Sequence, residues 1–126
     1  MAGVSKLCTL HNEYRSKKTT LFGNALCLFN ECTQLSRYAQ KWAEHMASHD
    51  KLIKCSLNTI YELGYSKAGR TIIEGPKDSN EIIAIICGSY MHKRNLYNSS
   101  FDSIGCGYAT STTGKRYWCC CYGKKS

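Results

Sequence analysis

Residues 103–123 read SIGCGYATSTTGKRYWCCCYG. Tyr117, Trp118 and Tyr122 suit a pleated, half-buried surface. Ser111-Thr-Thr-Gly114 supplies a turn between two strand-like runs. The stretch therefore predicts a β-hairpin with strands over 103–110 and 116–123. With the turn centred near Thr113, the numbers of facing residues sum to about 226. Cys106 then faces Cys120, and Tyr108 faces Trp118. A slip of one residue would bring Cys119 or Cys121 opposite instead, on the other face of the sheet. Adjacent strands can be bridged where the geometry is right, which makes Cys106 and Cys120 disulfide candidates.

Upstream of the hairpin, residues 80–91 hold Ile82, Ile83, Ile85 and Ile86. Periodicity alone does not separate a buried strand from a buried helix here. Asp78 or Ser79 as a cap, with Glu81 in the first turn, favours a helix. Residues 51–79 carry Gly64, Gly69, Gly75 and Pro76. They read as loop, a short extended segment over 61–66, then loop again. Residues 31–48 predict an amphipathic helix. Leu35, Ala39, Trp42, Ala43 and Met46 form its apolar stripe, while Gln34, Arg37, Lys41 and Glu44 face water. Residues 4–18 predict another, with Val4, Leu7, Cys8, His11 and Tyr14 on one face. Residues 19–30 connect the two and carry Leu26, Leu28 and Phe29. There is no internal repeat and no linker. Helices first, a variable middle, a further helix and a terminal hairpin make an α+β chain.

The 126 residues suffice for one core, so 1–126 reads as a single domain. Lys plus Arg is 17 and Asp plus Glu is 9, a net charge of +8. Such a balance is compatible with anionic lipid or polysaccharide surfaces. The lysines form no run longer than two, and no nucleic-acid partner is expected. No apolar run approaches the ~20 residues of a membrane span. Residues 1–10 lack the apolar centre of a signal peptide, so the chain reads as leaderless or as a mature form with a starter Met. Nine cysteines favour an oxidising compartment, and the odd number leaves at least one thiol free or paired between chains. None forms a Cys-x-x-Cys pair, which weakens a zinc-ribbon or thioredoxin reading. The expected location is extracellular, with a cytoplasmic or peripheral membrane location as the alternative.

His11-Asn-Glu-Tyr-Arg15, followed by Leu28-Phe-Asn30, Leu35, Ala39-Gln40 and Trp42-Ala43, resembles the N-terminal half of a CAP domain. This is the superfamily of cysteine-rich secretory, antigen 5 and pathogenesis-related 1 proteins. Ser89-Tyr-Met-His92-Lys-Arg-Asn95-Leu-Tyr-Asn98, followed by Phe101, Ile104-Gly-Cys-Gly107 and Tyr108-Ala109, is similar to its second signature. There a Gly-His motif leads through Asn-x-x-Asn into an Ile-Gly-x-Gly strand. Tyr117-Trp-Cys and Tyr122-Gly123 resemble the closing strand.

The resemblance implies an α-β-α sandwich with a central antiparallel sheet and flanking helices. It also implies a cleft around two histidines and two acids, able to hold a divalent cation such as zinc. The second histidine carries over onto His92, the candidate metal ligand. Glu62 and Glu81 are the candidate acids. The first histidine falls near Lys54 or Cys55, where this chain has none. Cys55 is the possible soft substitute, and Lys54 beside Glu62 would make an ion pair that plugs the cleft. Met91 replaces the glycine before the second histidine, and Ile86 a tryptophan. The family association with sterol and fatty-acid binding makes a lipid, or a protein partner, the expected ligand. Tyr61, Tyr65 and the glycine-punctuated stretch to Pro76 are candidates for lining an apolar groove, against the simpler reading that they cover the sheet.

Other residues are weighed against structural roles. His45 and His49 stand one helical turn apart, but no third metal ligand accompanies them. His11 lies on an apolar helix face, where backbone or a tyrosine hydroxyl would satisfy it. Alternation splits Cys119 and Cys121 from Cys120, so the triplet reads as disulfide or buried thiols rather than one metal site. Cys87 reads as buried core. Ser56 or Ser66 near His92 would be needed for a serine-type hydrolase, and no nucleophile elbow is present. The expected activity is thus binding without catalysis. A hydrolase in the same cleft and a basic module for anionic surfaces are the alternatives.

Overall fold

The computed structural model describes residues 2–18, 23 and 26–125. Half of the 19–30 connection read from sequence, and the Val4 side chain, lie outside the described residues. In chain order the elements are α1 (Ala2–Ser16), β1 (Asn30–Glu31), α2 (Thr33–His49), α3 (Leu57–Glu62), β2 (Tyr65–Gly75), α4 (Ser79–Gly88), α5 (Tyr90–Leu96), β3 (Ser103–Thr110) and β4 (Arg116–Lys125).

The hairpin β3–β4 has the predicted register. Cys106 faces Cys120 and Tyr108 faces Trp118. Strand β2 pairs antiparallel with the other side of β4, and the two-residue β1 lies parallel to β3, giving the order β1-β3-β4-β2. Alternation along the strands then sorts the core into two layers. Ile73, Ile104, Cys106, Trp118, Cys120 and Tyr122 face helices α1, α4 and α5, where Leu7, Ile82, Ile86 and Leu96 are buried. Tyr65, Tyr117, Cys119 and Cys121 face α2 and α3, where Leu35, Ala39, Met46 and Ile60 are buried. The result is an α-β-α sandwich around a sheet that is antiparallel except at its short β1 edge.

Helix α2 lies directly on the sheet because β3 presents glycines there. A Cβ on Gly105 would stand 2.2 Å from the Ser36 nitrogen, and one on Gly107 would stand 2.4 Å from the Gln40 Cα. Beyond β1, the outer edge of β3 has no strand partner. The Gln40 amide takes that place, donating to the Tyr108 carbonyl at 2.8 Å and accepting from its N–H at 3.1 Å. The α4 start is as the sequence suggests, with the Asp78 carboxylate accepting from the Glu81 N–H at 2.9 Å.

Four expectations are corrected. Residues 51–79 are not mostly loop: they contain helix α3 and the eleven-residue strand β2. Gly64 (φ 103°) and Gly75 (φ 112°) bracket that strand. Gly69 sits inside it because the Asn95 Oδ1 and the Phe101 ring press within 2.8 Å of where a Cβ would be. The single helix over 80–91 is two helices, divided at Ser89 in extended conformation (φ −115°, ψ 123°). On α1, Tyr14 is exposed and Arg15 is fully buried instead. Cys87 is half-buried against the α1–α4 layer rather than fully enclosed.

Candidate ligand-binding cleft

The α1 motif His11-Asn-Glu-Tyr-Arg15 acts as a fastener. Arg15 has no carboxylate partner among the described residues. Its guanidinium donates to the carbonyls of Cys27, Leu96, Asn98 and Phe101 and lies 3.9 Å from the centre of the Phe29 ring. It thereby ties α1 to the segment that joins α5 and β3. The Asn12 side chain pairs with both backbone groups of Phe29.

His11 is buried, and burial pushes its pKa down to about 4. Its Nδ1 lies 2.8 Å from the Leu7 carbonyl and its Nε2 2.9 Å from the Tyr122 hydroxyl. A carbonyl only accepts, so Nδ1 carries the proton and Nε2 accepts from Tyr122. Both partner types expected for His11 are present. The Tyr122 hydroxyl in turn lies 3.3 Å from Thr71 Oγ1. Thr71 also receives the Asn95 amide at 3.3 Å, and that amide donates to the Arg70 carbonyl at 2.7 Å. A polar chain thus crosses the core from α1 to the contact between α5 and β2.

At that contact lies a cleft of about 330 Å³. Its floor is β2 from Ala68 to Ile72, one wall is α5 with Met91, His92, Arg94 and Asn95, and the other is Lys54 and Leu57. Three cations line it: Lys54, Arg70 and Arg94. No acid lines it. Among the described residues the one side-chain ion pair is Lys115–Glu74, at the hairpin end of the molecule, so the cleft cations have no carboxylate partner. Arg70 Nη1 is steadied by the Cys55 carbonyl at 3.0 Å. Met91 is 74% exposed and the adjacent Tyr90 76%, which gives α5 an apolar rim. His92 is half-buried, its Nδ1 has no hydrogen-bond partner, and burial lowers its pKa.

Of the candidate cleft and lipid-binding residues named from sequence, the cleft gathers only His92 and Lys54. Glu62 ends α3 and Glu81 lies in the first turn of α4; both are exposed and neither lines the cleft. The Lys54–Glu62 ion pair is not formed. Tyr61 is exposed on α3, and Tyr65 is buried with its hydroxyl donating to Cys32 Sγ. Neither lines the cleft. Ser66 bonds the Lys124 carbonyl, and the Ser56 backbone brackets the Tyr38 hydroxyl; no contact joins either to His92. His45 and His49 are exposed, with ring centres 4.5 Å apart, and His49 Nδ1 lies 3.0 Å from the His45 carbonyl.

A zinc ion of the implied kind does not fit these residues. One histidine with three cations and no acid is a poor donor set for a divalent cation. Cys55 is not a cleft ligand either; it does not line the cleft and is buried in the α2–α3 layer beside Cys119 and Cys121. Hydrogen bonds from those two thiols hold the Cys55 thiol below its ordinary range, and the pair themselves are raised.

Sequence reasoning missed Arg70 and Arg94. Arg70 fell in the stretch read as loop, and a charged residue on the same strand face as Ala68 and Ile72 breaks the apolar alternation that would have marked a strand. Arg94 stands two residues after His92, where a basic pair, Lys93-Arg94, was in view. All nine cysteines are thiols in this structure, and the Sγ atoms of Cys106 and Cys120 lie 2.7 Å apart.

Comparison with known proteins agrees with this architecture. Residues 8–122 match the model of the cysteine-rich secretory protein family, CAP. Against the curated proteins the sequence has no match. Among solved structures, an outer surface protein of Borrelia burgdorferi superposes with a TM-score of 0.82 at 18% identity, covering 97% of this chain and 92% of that one. An SCP-domain extracellular protein of Bacillus anthracis gives 0.80 at 18% identity, covering 98% of this chain and 41% of that one. Venom allergen-like protein 4 of Schistosoma mansoni gives 0.75 at 13% identity, covering 100% and 90%.

Proposed function

The chain belongs to the cysteine-rich secretory protein (CAP) family, and from that premise we propose that it binds an anionic lipid, with a fatty-acid carboxylate seated among Lys54, Arg70 and Arg94. The observation that carries this reading is three cations in one cleft with no acid among its lining residues. Cations without counter-ions repel one another, and an anion relieves that repulsion. Arg70 and Arg94 offer planar donor forks that match a carboxylate. The volume lies at the small end of ligand sites, about 300–1,000 Å³. Leu57, Ile72 and Met91 supply an apolar path for the first methylenes of the chain.

The role is binding without catalysis. A hydrolase needs a nucleophile, a base and an oxyanion site in one place. His92 is the base on offer, and no hydrogen bond joins it to a nucleophile. The setting is extracellular, in keeping with the relative from Bacillus anthracis described as such. No helix among the described residues is long and apolar enough to cross a membrane.

Native mass spectrometry tests the reading. The chain incubated with sodium laurate is expected to carry one laurate that leaves on denaturation. A chain that stays bare with laurate, and with longer fatty acids, contradicts it.

A further inference from the structure

The geometry points to a second site, whose ligands lie outside the cleft lining: a buried three-thiolate site for one soft metal ion, formed by Cys55, Cys119 and Cys121. These are the group of metal-ligating side chains within reach of one another among the described residues, with all three sulfur atoms within 4.8 Å. Cys119 Sγ and Cys121 Sγ are 3.9 Å apart. Two thiolates on one tetrahedral zinc, each at about 2.3 Å, stand about 3.8 Å from each other. The spacing is that of shared ligands, not of a disulfide, whose sulfurs are about 2.05 Å apart.

The fold explains how the trio assembles. Cys119 and Cys121 alternate along β4 and so share the face toward α2 and α3. Cys55 reaches them from the segment between α2 and α3, and Cys120 points to the opposite layer. There the nearest sulfur pair, Cys106 and Cys120 at 2.7 Å, is too close for two ligands of one ion. Three thiolates and a divalent ion leave one net negative charge. Arg70, opposite Cys121 in the sheet and bonded to the Cys55 carbonyl, supplies the balancing positive charge.

Soft thiolates select Zn(II) or Cu(I). Each S–H gives its proton to solvent as its sulfur–metal bond forms, and no electron is exchanged. Zn(II) would complete its shell with a small exogenous ligand; Cu(I) is satisfied by the thiolates alone.

The test loads the reduced chain with Zn(II) and, without oxygen, with Cu(I), then counts metal after desalting. Wild type and Cys27→Ser, an exposed thiol outside the trio, are expected to retain about one ion. Cys55→Ser and Cys55→Ala are expected to bind at least about tenfold more weakly. The arm that is retained identifies the ion. X-ray absorption on the loaded wild type needs no variant and expects sulfur as the protein donor at about 2.3 Å. Unchanged binding in Cys55→Ser, retention of neither ion, or a nitrogen-dominated shell overturns the site. So does a Cys55–Cys119 or Cys55–Cys121 disulfide mapped in protein isolated with its thiols blocked.

Discussion

The Asn95 side-chain amide donates to the Arg70 backbone carbonyl at 2.7 Å, fastening α5 to the middle of β2. Strand β2 is at the edge of the sheet, so its outward carbonyls have no strand partner. Asn95 fills one such place and thereby sets the distance between the cleft wall that carries His92 and Arg94 and the floor that carries Arg70. Asn95→Ala is expected to cost about 1–2 kcal/mol through the unpaired carbonyl. It should also weaken laurate binding, since the two cation-bearing elements lose their mutual reference. Urea unfolding and a laurate titration check both. Unchanged affinity would show that the fastening does not serve the cleft.

His11 gives the stability of the fold a defined pH dependence. Its ordinary pKa is 6.5, and in the folded chain it lies at about 4. The unfolded chain therefore takes up a proton below about 6.5, while the folded chain refuses it until about 4. Stability from this group is complete above 6.5 and falls as pH drops toward 4, by about 3 kcal/mol in all. Urea midpoints measured across this window should slope less in His11→Gln than in wild type. Parallel slopes would contradict the assignment of a neutral, buried imidazole.

Gly105 is where helix and sheet touch most closely. Gly105→Ala places a methyl against the backbone of Leu35 and Ser36, which no side-chain rotation relieves. The substitution should cost about 3 kcal/mol. Gly88→Ala, at a helical position with nothing within 4 Å, should be neutral or slightly stabilising. Thermal unfolding of the two variants checks the contrast. Equal melting temperatures would mean that α2 lifts away freely.

Much of the architecture was legible because local signals agreed with the final packing. The turn at Gly114, the aromatic residues of β4 and period-two alternation pointed to the hairpin register found, with a one-residue slip as the alternative. The Asp78 cap marked the start of α4, and the apolar stripe of α2 marked its buried face. Strand β2 was not legible, because Gly69 reads as a breaker until Asn95 and Phe101 are seen to crowd it. Arg15 was not legible as a core residue, since its burial depends on four carbonyls supplied from distant segments. The cleft was half legible. His92 and Lys54 carry their own signal, whereas the acids that would complete a histidine–carboxylate set lie elsewhere in the fold. The meeting of Cys55 with Cys119 and Cys121 has no spacing signature at all; it follows from where the α2–α3 segment crosses the sheet.

The cleft proposal rests on charge, and charge reversal tests it most directly. Lys54 and Arg94 are both exposed, so Lys54→Glu with Arg94→Glu alters the cleft without touching the core. Sodium laurate, below its micelle concentration, would be titrated calorimetrically into wild type and the double variant at low and high salt. The account predicts binding by wild type that weakens with salt, and at least about tenfold weaker binding by the variant. Equal affinity of the two proteins, or no heat from wild type, would contradict an anion-binding cleft.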